Sequence, residues 1–302
     1  MTDHFEFEPW KSVKADSGTW YKSIEKLGAG GNAVTFLACC TTAPKTGLLF
    51  AIKVFRRLSK PERRDSFLEE ARFLKGCDHP AIMRVYDEGT YYDDNPFVVA
   101  EYLPQTLHDL MRADCRIVEK IAYACQLMAA LAYLDSLEPK VVHRDIKPAN
   151  IFIKGGSCVL GDFGLMKLLN EDDEDDREIV KESLGPGMPF YYRTPDLVSY
   201  LKGEAGITTK SDVFQLGLVL THLFTGWNPA KAPSEFTDPV ELEPIGNIPS
   251  KLGGGIAALL RRMLEMKPED RPSAGDLVDP WQGVLRNAVD ASHELEDRAF
   301  HF

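Results

Sequence analysis

Two short groups of polar residues near the middle of the chain have types and a spacing suited to catalysis. The first is the stretch HRDIKPAN at 143–150, and the second is DFG at 162–164, after two strand-like runs. Transfer of a phosphoryl group needs a carboxylate beside the acceptor hydroxyl and oxygen ligands for a Mg²⁺ ion that bridges the phosphates. Asp145 suits the first task, and Asn150 and Asp162 suit the second. DFG alone is common by chance, whereas DFG soon after HRD, with asparagine at the fifth place beyond the aspartate, is not.

A glycine-rich turn lies much earlier in the chain, where residues 27–33 read LGAGGNA between two strand-like runs. Glycine lets backbone N–H groups approach phosphate oxygens closely and accepts dihedral angles that other residues disfavour. No Gly-Lys-Ser/Thr follows, so the segment is not a P-loop. Taken alone, the turn is explained equally well as a loose hairpin.

A lysine in the next strand-like run, Lys53, has apolar neighbours on both sides. A lysine in such surroundings is costly to bury unless an opposite charge pairs with it. Glu69 and Glu70 on the following helix are the candidates. The apolar stripe through Phe67 and Ala71 favours Glu70 as the inward-facing residue. The alternative is that both glutamates lie on the surface.

The elements that must position these groups change in character along the chain. Strand-like runs dominate from Trp20 to Val99, interrupted by one helix that a capping box at Ser59 and Glu62 would begin. Helical patterns dominate afterwards, and they are predicted at 117–134, 211–225, 254–266 and 273–289. This segregation predicts an α+β, bilobal fold with a hinge near 101–104. The predicted division is a leader at 1–19, an N-lobe at 20–103, a C-lobe at 104–286 and a tail at 287–302.

From about Trp20 to about Arg286, the order of these motifs resembles the eukaryotic-type (Hanks-type) serine/threonine protein kinases. The resemblance implies a strand-rich N-lobe and a helical C-lobe with ATP bound between them, together with Mg²⁺ or, as the alternative ion, Mn²⁺. Lys147, two residues after the aspartate, is similar to the serine/threonine branch. The implied catalytic residues are Asp145 as the base, Lys147, Lys53 and Glu70. The implied metal ligands are Asn150 and Asp162.

The same resemblance implies a set of nucleotide-binding residues: Gly28, Ala29, Gly30, Gly31, Asn32, Ala33, Ala51, Lys53, Ala100, Glu101, Leu103 and Phe152. Glu101 and Leu103 would bond adenine through the hinge backbone, with Ala51 and Phe152 on its two faces. Ala100 falls where the family usually carries a bulkier side chain. Either an open pocket lies behind the adenine site, or a neighbouring side chain fills the space.

Two later segments are similar to structural motifs of the same family. SDVFQLG at 211–217 resembles the helix whose aspartate holds the catalytic loop, and KPEDRP at 267–272 contributes an arginine, Arg271. That arginine would pair with the acid that closes the activation segment. Here the acid is Asp196, one methylene shorter than the usual glutamate, so its contact with Arg271 is either direct or mediated by water.

The activation segment runs from Asp162 to Asp196 and contains six consecutive carboxylates at 171–176. Such a run is expected to remain solvated. The resemblance implies that Arg144 holds a phosphorylated residue of this segment, for which Ser183 and then Thr194 are the candidates. Alternatively, the acids supply the charge themselves and favour a basic protein substrate.

Composition and charge limit the partners and the cellular location that we expect for this protein. The formal net charge of −11 disfavours nucleic-acid binding. The longest apolar run, 214–224, is too short for a membrane span, and six cysteines without a CxxC pair are typical of a reducing compartment. We therefore expect a cytoplasmic protein without a membrane or nucleic-acid partner, in an oligomeric state that the sequence leaves open. The alternatives to an active kinase are a nucleotide-binding pseudokinase scaffold and a kinase-fold enzyme that phosphorylates a small molecule.

Overall fold

The computed structural model describes residues 7–29, 33–55, 61–92, 95–112, 115–164, 166–169, 177, 180 and 190–299. The chain divides into two compact units, Met1–Pro104 and Gln105–Phe302. The division falls one residue after the boundary expected from the sequence. Each unit builds its own core.

The first unit is built around an antiparallel sheet of six strands, in the order β1-β2-β3-β4-β6-β5. Alternating burial along β2 and the apolar character of β3 and β4 place one shared core against the sheet, with Tyr21, Phe36 and Ile52 fully buried. The strands are β1 Ser12–Lys14, β2 Trp20–Ala29, β3 Ala33–Cys40, β4 Leu49–Phe55, β5 Val85–Tyr91 and β6 Asn95–Glu101.

The predicted leader at 1–19 is not a separate segment where the structure describes it. Residues 12–14 form β1, which pairs with β2. Phe7 is buried, and its ring packs edge-on against Phe36 and Tyr91 at centroid distances of 4.8 and 4.7 Å. A strand of three residues with only one apolar side chain gives almost no periodic signal, so the sequence could not reveal it.

Helix α1, Pro61–Gly76, carries the expected apolar stripe, since Phe67, Ala71 and Leu74 are all buried. The capping box expected at Ser59 and Glu62 lies outside the described side chains. Strand β5 begins at Val85, after a turn at residues 79–82 in which the amide of Ile82 donates to the carbonyl of His79.

The second unit is mostly helical. Its helices are α2 Leu107–Leu110, α3 Ile117–Ser136, α4 Pro195–Lys202, α5 Lys210–Thr225, α6 Gly253–Met263 and α7 Ala274–Ala299. The tail predicted at 287–302 is not separate, because α7 continues to Ala299. Short strands β7 Gln105–Thr106, β8 Val141–Val142, β9 Ile151–Lys154, β10 Ser157–Leu160 and β11 Lys167–Leu168 frame the loops that carry the polar residues.

Among the described residues, α3 alone is long and apolar enough to cross a membrane by length and composition. Eight of its side chains are buried, and α5 and α7 pack against it. Its apolar character therefore matches a position in the core of the second unit. Helix α5 is buried more completely, since every residue from Ser211 to Phe224 except His222 is buried. None of the six cysteines forms a disulfide.

Candidate active site

Asp145 lies on the loop between β8 and β9, with Lys147 and Asn150 arranged around its carboxylate. Lys147 Nζ donates to both carboxylate oxygens at 2.7 and 2.9 Å, and Asn150 Nδ2 donates to Oδ2 at 2.8 Å. Burial raises the pKa of Asp145 to about 6, and the positive charge of Lys147 opposes this rise. The group is therefore a carboxylate at neutral pH with the basicity to accept a proton from a hydroxyl during transfer.

The loop that carries Asp145 is fixed by the buried carboxylate of Asp212 on α5. Asp212 Oδ2 accepts from the backbone N–H of His143 at 2.7 Å, and Oδ1 accepts from that of Arg144 at 2.9 Å. Burial raises the pKa of Asp212 to about 7, and the two amide hydrogen bonds act in the opposite direction. Arg144 itself has a φ of 67°, in the left-handed region that residues with side chains seldom adopt. Its guanidinium donates to the carbonyl of Met166 at 2.9 Å.

The DFG segment follows β10, and the ring of His143 packs against it. Phe163 is buried, with its ring centroid 4.4 Å from that of His143. Burial lowers the pKa of His143 to about 4, so the ring is neutral at pH 7, and its Nε2 lies 3.1 Å from the carbonyl oxygen of Gly161. The side chain of Asp162 is exposed and close enough to raise the pKa of Asp145.

These oxygen donors fit a Mg²⁺ site. Mg²⁺ is usually held by one or two carboxylates together with substrate phosphates and water. Asp162 supplies an exposed carboxylate, and Asn150 is oriented by the two hydrogen bonds that its amide nitrogen gives to Asp145. No cluster of three or more acidic, histidine or cysteine ligands occurs in the described part of the chain. A site completed by phosphate oxygens and water is the kind that this donor set suits.

The first unit positions the lysine. Lys53 on β4 donates to both oxygens of Glu70 on α1, at 2.8 and 3.1 Å. The Glu70 side chain is 7% exposed and that of Lys53 is 24% exposed. Glu69 is only partly buried. The apolar stripe of α1 explains why Glu70 is more buried than Glu69, because the stripe turns position 70 toward the sheet.

Some of the remaining nucleotide-binding candidates lie on the same sheet as Lys53. Ala51 and Ala100 are directly opposed in the β4–β6 pair, and Glu101 at the end of β6 is buried, with its carboxylate accepting from the amide of Arg84 at 3.1 Å. The other described candidates are Gly28 and Ala29, both exposed on β2, buried Ala33 on β3, half-buried Leu103, and Phe152 on β9 in the second unit. Gly30, Gly31 and Asn32 lie outside the described residues, as do the carboxylates at 171–176 and Ser183.

Of the two contacts considered for Asp196 and Arg271, the direct one is present. Arg271 Nη1 donates directly to Asp196 Oδ2 at 2.9 Å. Asp196 lies in the first turn of α4, which brings it close enough for a shorter acid to reach. The hydroxyl of Thr194 is buried as well. It accepts from the amide of Leu197 at 2.9 Å as the N-cap of α4 and pairs with Ser211 at 2.7 Å, so in this arrangement it is not accessible as a phosphate acceptor.

Comparison with known proteins agrees with this geometry. The family model for the protein kinase domain matches residues 21–281. The chain therefore belongs to the protein kinase domain family, and the predicted α+β fold, with a strand-rich first part and a helical second part, is confirmed.

Curated relatives carry serine/threonine-protein kinase names. The chain is 30% identical over 299 residues to the probable serine/threonine protein kinase IRE4 of Arabidopsis thaliana, covering 89% of this chain and 28% of that protein. It is 28% identical over 321 residues to the serine/threonine-protein kinase PknD of Protochlamydia amoebophila, covering 94% and 30%. It is 27% identical over 274 residues to the probable serine/threonine-protein kinase nek3 of Dictyostelium discoideum, covering 86% and 23%. The chain thus spans less than a third of the length of these relatives.

Proposed function

We propose that this chain is an active protein kinase that transfers the γ-phosphate of ATP to serine and threonine hydroxyls of protein substrates, and to its own hydroxyls, in the cytoplasm. The observation that carries the proposal is the arrangement around Asp145, a buried carboxylate bonded to Lys147 and Asn150 on a loop held by Asp212. A nucleotide-binding scaffold would not need a basic carboxylate of this kind.

Each of the proposed catalytic residues has a task that its environment supports. Asp145 orients the acceptor hydroxyl and takes its proton, and Lys147 steadies the transferred phosphoryl group after leaving the Asp145 carboxylate. Lys53, positioned by Glu70, pairs with the phosphates of ATP. Asn150 and Asp162 would hold Mg²⁺, which when bound would neutralise charge on the phosphate oxygens.

The test is mass spectrometry of the purified protein and of a mixed basic and neutral protein substrate, each incubated with Mg·ATP. Phosphate on serine or threonine of the substrate supports the proposal. ATP binding without transfer would favour the pseudokinase scaffold. Phosphate transferred only to a small molecule would favour a kinase-fold enzyme that phosphorylates small molecules.

The first prediction concerns Glu70. Glu70→Gln removes the charge that holds Lys53, and a hydrogen bond between charged groups is worth about 1.5–3 kcal/mol. We therefore expect the Kd for Mg·ATP to rise about tenfold or more. Its neighbour gives a matched control, because Glu69→Gln makes the same chemical change one position away. Equal weakening in the two variants, measured by calorimetry, would contradict the assignment of Glu70.

The second prediction concerns Ala100, which is buried and opposed by a second alanine, Ala51. We propose that the space beside these two methyl groups is open. ATP-competitive inhibitors with a bulky aromatic substituent are expected to bind the unmodified protein, and Ala100→Met is expected to exclude them while leaving the KM for ATP nearly unchanged. Equal inhibition of both forms would show that a neighbouring side chain already fills the space.

The third prediction concerns substrate charge. The six carboxylates at 171–176 lie outside the described residues, so this proposal depends on their charge alone. We propose that they favour basic protein substrates, with an attraction that salt weakens. Replacing all six with serine and glycine is expected to raise the KM for a basic peptide more than for a neutral one. An unchanged ratio of the two KM values would count against it.

A further inference from the structure

Gln215, on helix α5, bonds to the peptide groups on both sides of the proposed base. Its Oε1 accepts from the backbone N–H of Ile146 at 3.0 Å, and its Nε2 donates to the carbonyl oxygen of Arg144 at 2.9 Å. The same Nε2 donates to the carbonyl oxygen of Tyr192 at 2.9 Å. One side chain therefore clamps the residues before and after Asp145 and ties them to the 3₁₀ turn at Phe190–Tyr192.

The burial of this amide makes the contacts costly to lose. Gln215 is 2% exposed, with apolar Phe214 and Leu216 beside it in the chain. A primary amide has two N–H donors, and both are used here, as is its oxygen. A buried amide without partners would destabilise the helix, and its removal would break three hydrogen bonds to backbone groups.

Gln215 acts together with Asp212, which lies three residues earlier on the same face of α5. Between them, the two side chains bond both the N–H and the C=O of Arg144, as well as the N–H groups of His143 and Ile146. Arg144 has the unfavourable φ of 67°. Such a conformation persists only where the surroundings fix it, and α5 supplies that constraint on both sides of the residue.

We infer that Gln215 is a positioning residue for phosphoryl transfer, one that sets the place of Asp145 relative to the 3₁₀ turn at Phe190–Tyr192. This inference rests on the proposed function, because it assigns Asp145 the role of base. It adds a residue that acts through the backbone. Its loss would let the base move, and a displacement of about 1 Å can reduce a rate by about 100-fold.

The variant that tests the inference is Gln215→Met, which keeps the length of the side chain and removes the three hydrogen bonds. We expect kcat to fall roughly 10- to 100-fold, with the KM for ATP within about twofold, since the nucleotide contacts proposed above are elsewhere. Gln215→Asn keeps the amide but shortens the chain by one methylene, so it is expected to show a smaller fall in kcat. This second variant keeps the test decisive if Gln215→Met folds poorly.

The matched control is Thr221→Val on the same helix. Thr221 is fully buried, and its hydroxyl donates to the carbonyl of Gly217 within α5 at 2.8 Å, away from the catalytic loop. The Thr221→Val variant therefore removes a buried hydrogen bond from α5, and its kcat is expected to remain at the level of the unmodified protein. If Thr221→Val lowered kcat as much as Gln215→Met does, the effect would belong to the stability of α5, and the inference would be overturned.

Hydrogen exchange at the Ile146 amide, measured without nucleotide, separates this inference from the proposed function. Gln215→Met is expected to increase exchange at Ile146, whereas Thr221→Val is not. Unchanged exchange, or a kcat within twofold of the unmodified protein, overturns the positioning role. Absence of phosphate transfer by the unmodified protein overturns the proposed function, and exchange at Ile146 then decides whether Gln215 holds the loop.

Discussion

Asp145→Asn is expected to lower kcat by about 10²- to 10⁴-fold, the usual contribution of a general base, while the Kd for Mg·ATP stays within about twofold. Asparagine keeps the shape of the side chain and an oxygen that accepts from Lys147, but an amide does not take a proton from a hydroxyl. Single-turnover transfer to a peptide substrate measures the first quantity, and calorimetry measures the second.

Two comparisons make the Asp145 result specific. Asp162→Ala is expected to weaken metal-dependent nucleotide binding as well as transfer, since Asp162 is the proposed Mg²⁺ ligand. Asp279→Asn makes the same amide substitution at an exposed carboxylate on α7 and is expected to change neither quantity. Turnover near the normal level in Asp145→Asn would show that another group serves as the base.

The residues proposed for the chemistry could be predicted from the sequence because they lie in short segments with fixed spacing. Asp145, Lys147 and Asn150 lie within six consecutive positions, so a loop of any shape keeps them near one another. In the structure, Lys147 and Asn150 both bond to the Asp145 carboxylate. The apolar stripe through Phe67 and Ala71 likewise predicted Glu70 as the inward-facing glutamate, because the helical period determines which face of the helix is apolar. The change from strand patterns to helical patterns predicted the fold class for the same local reason.

Contacts between distant parts of the chain could not be predicted in this way. Gln215 stands in a motif recognised from the sequence, yet its hydrogen bonds join residues 69 and 71 positions apart. They come together only because α5 packs against the loop that carries Asp145. The pairing of β1 with β2 and the burial of Phe7 also depend on tertiary packing and not on any local period. In each of these cases the side chain alone does not reveal its partner.

The ion pair between Asp196 and Arg271 is the clearest of these distant contacts, since its members are 75 positions apart. Their side chains are 2% and 0% exposed. Arg271 also donates to the carbonyl oxygens of Lys210 at 2.7 Å and Glu265 at 2.8 Å, and its guanidinium lies 4.9 Å from the ring centroid of Phe214. It thereby connects the start of α4 with α5 and the segment after α6.

Asp196→Asn is expected to reduce the free energy of unfolding by about 3–5 kcal/mol, because it leaves the buried guanidinium without its counter-charge. The asparagine has nearly the same volume, so the loss reflects charge and not packing. Lys231→Met provides the control, since Lys231 pairs with Glu241 at 3.0 Å where both side chains are about half exposed or more. Such a pair contributes little, and the urea midpoint of that variant is expected to match the unmodified protein. If Asp196→Asn also unfolded at the unmodified midpoint with the same m-value, the hydrogen bonds from Arg271 to the carbonyl groups of Lys210 and Glu265 would be sufficient to stabilise the buried guanidinium without its counter-charge.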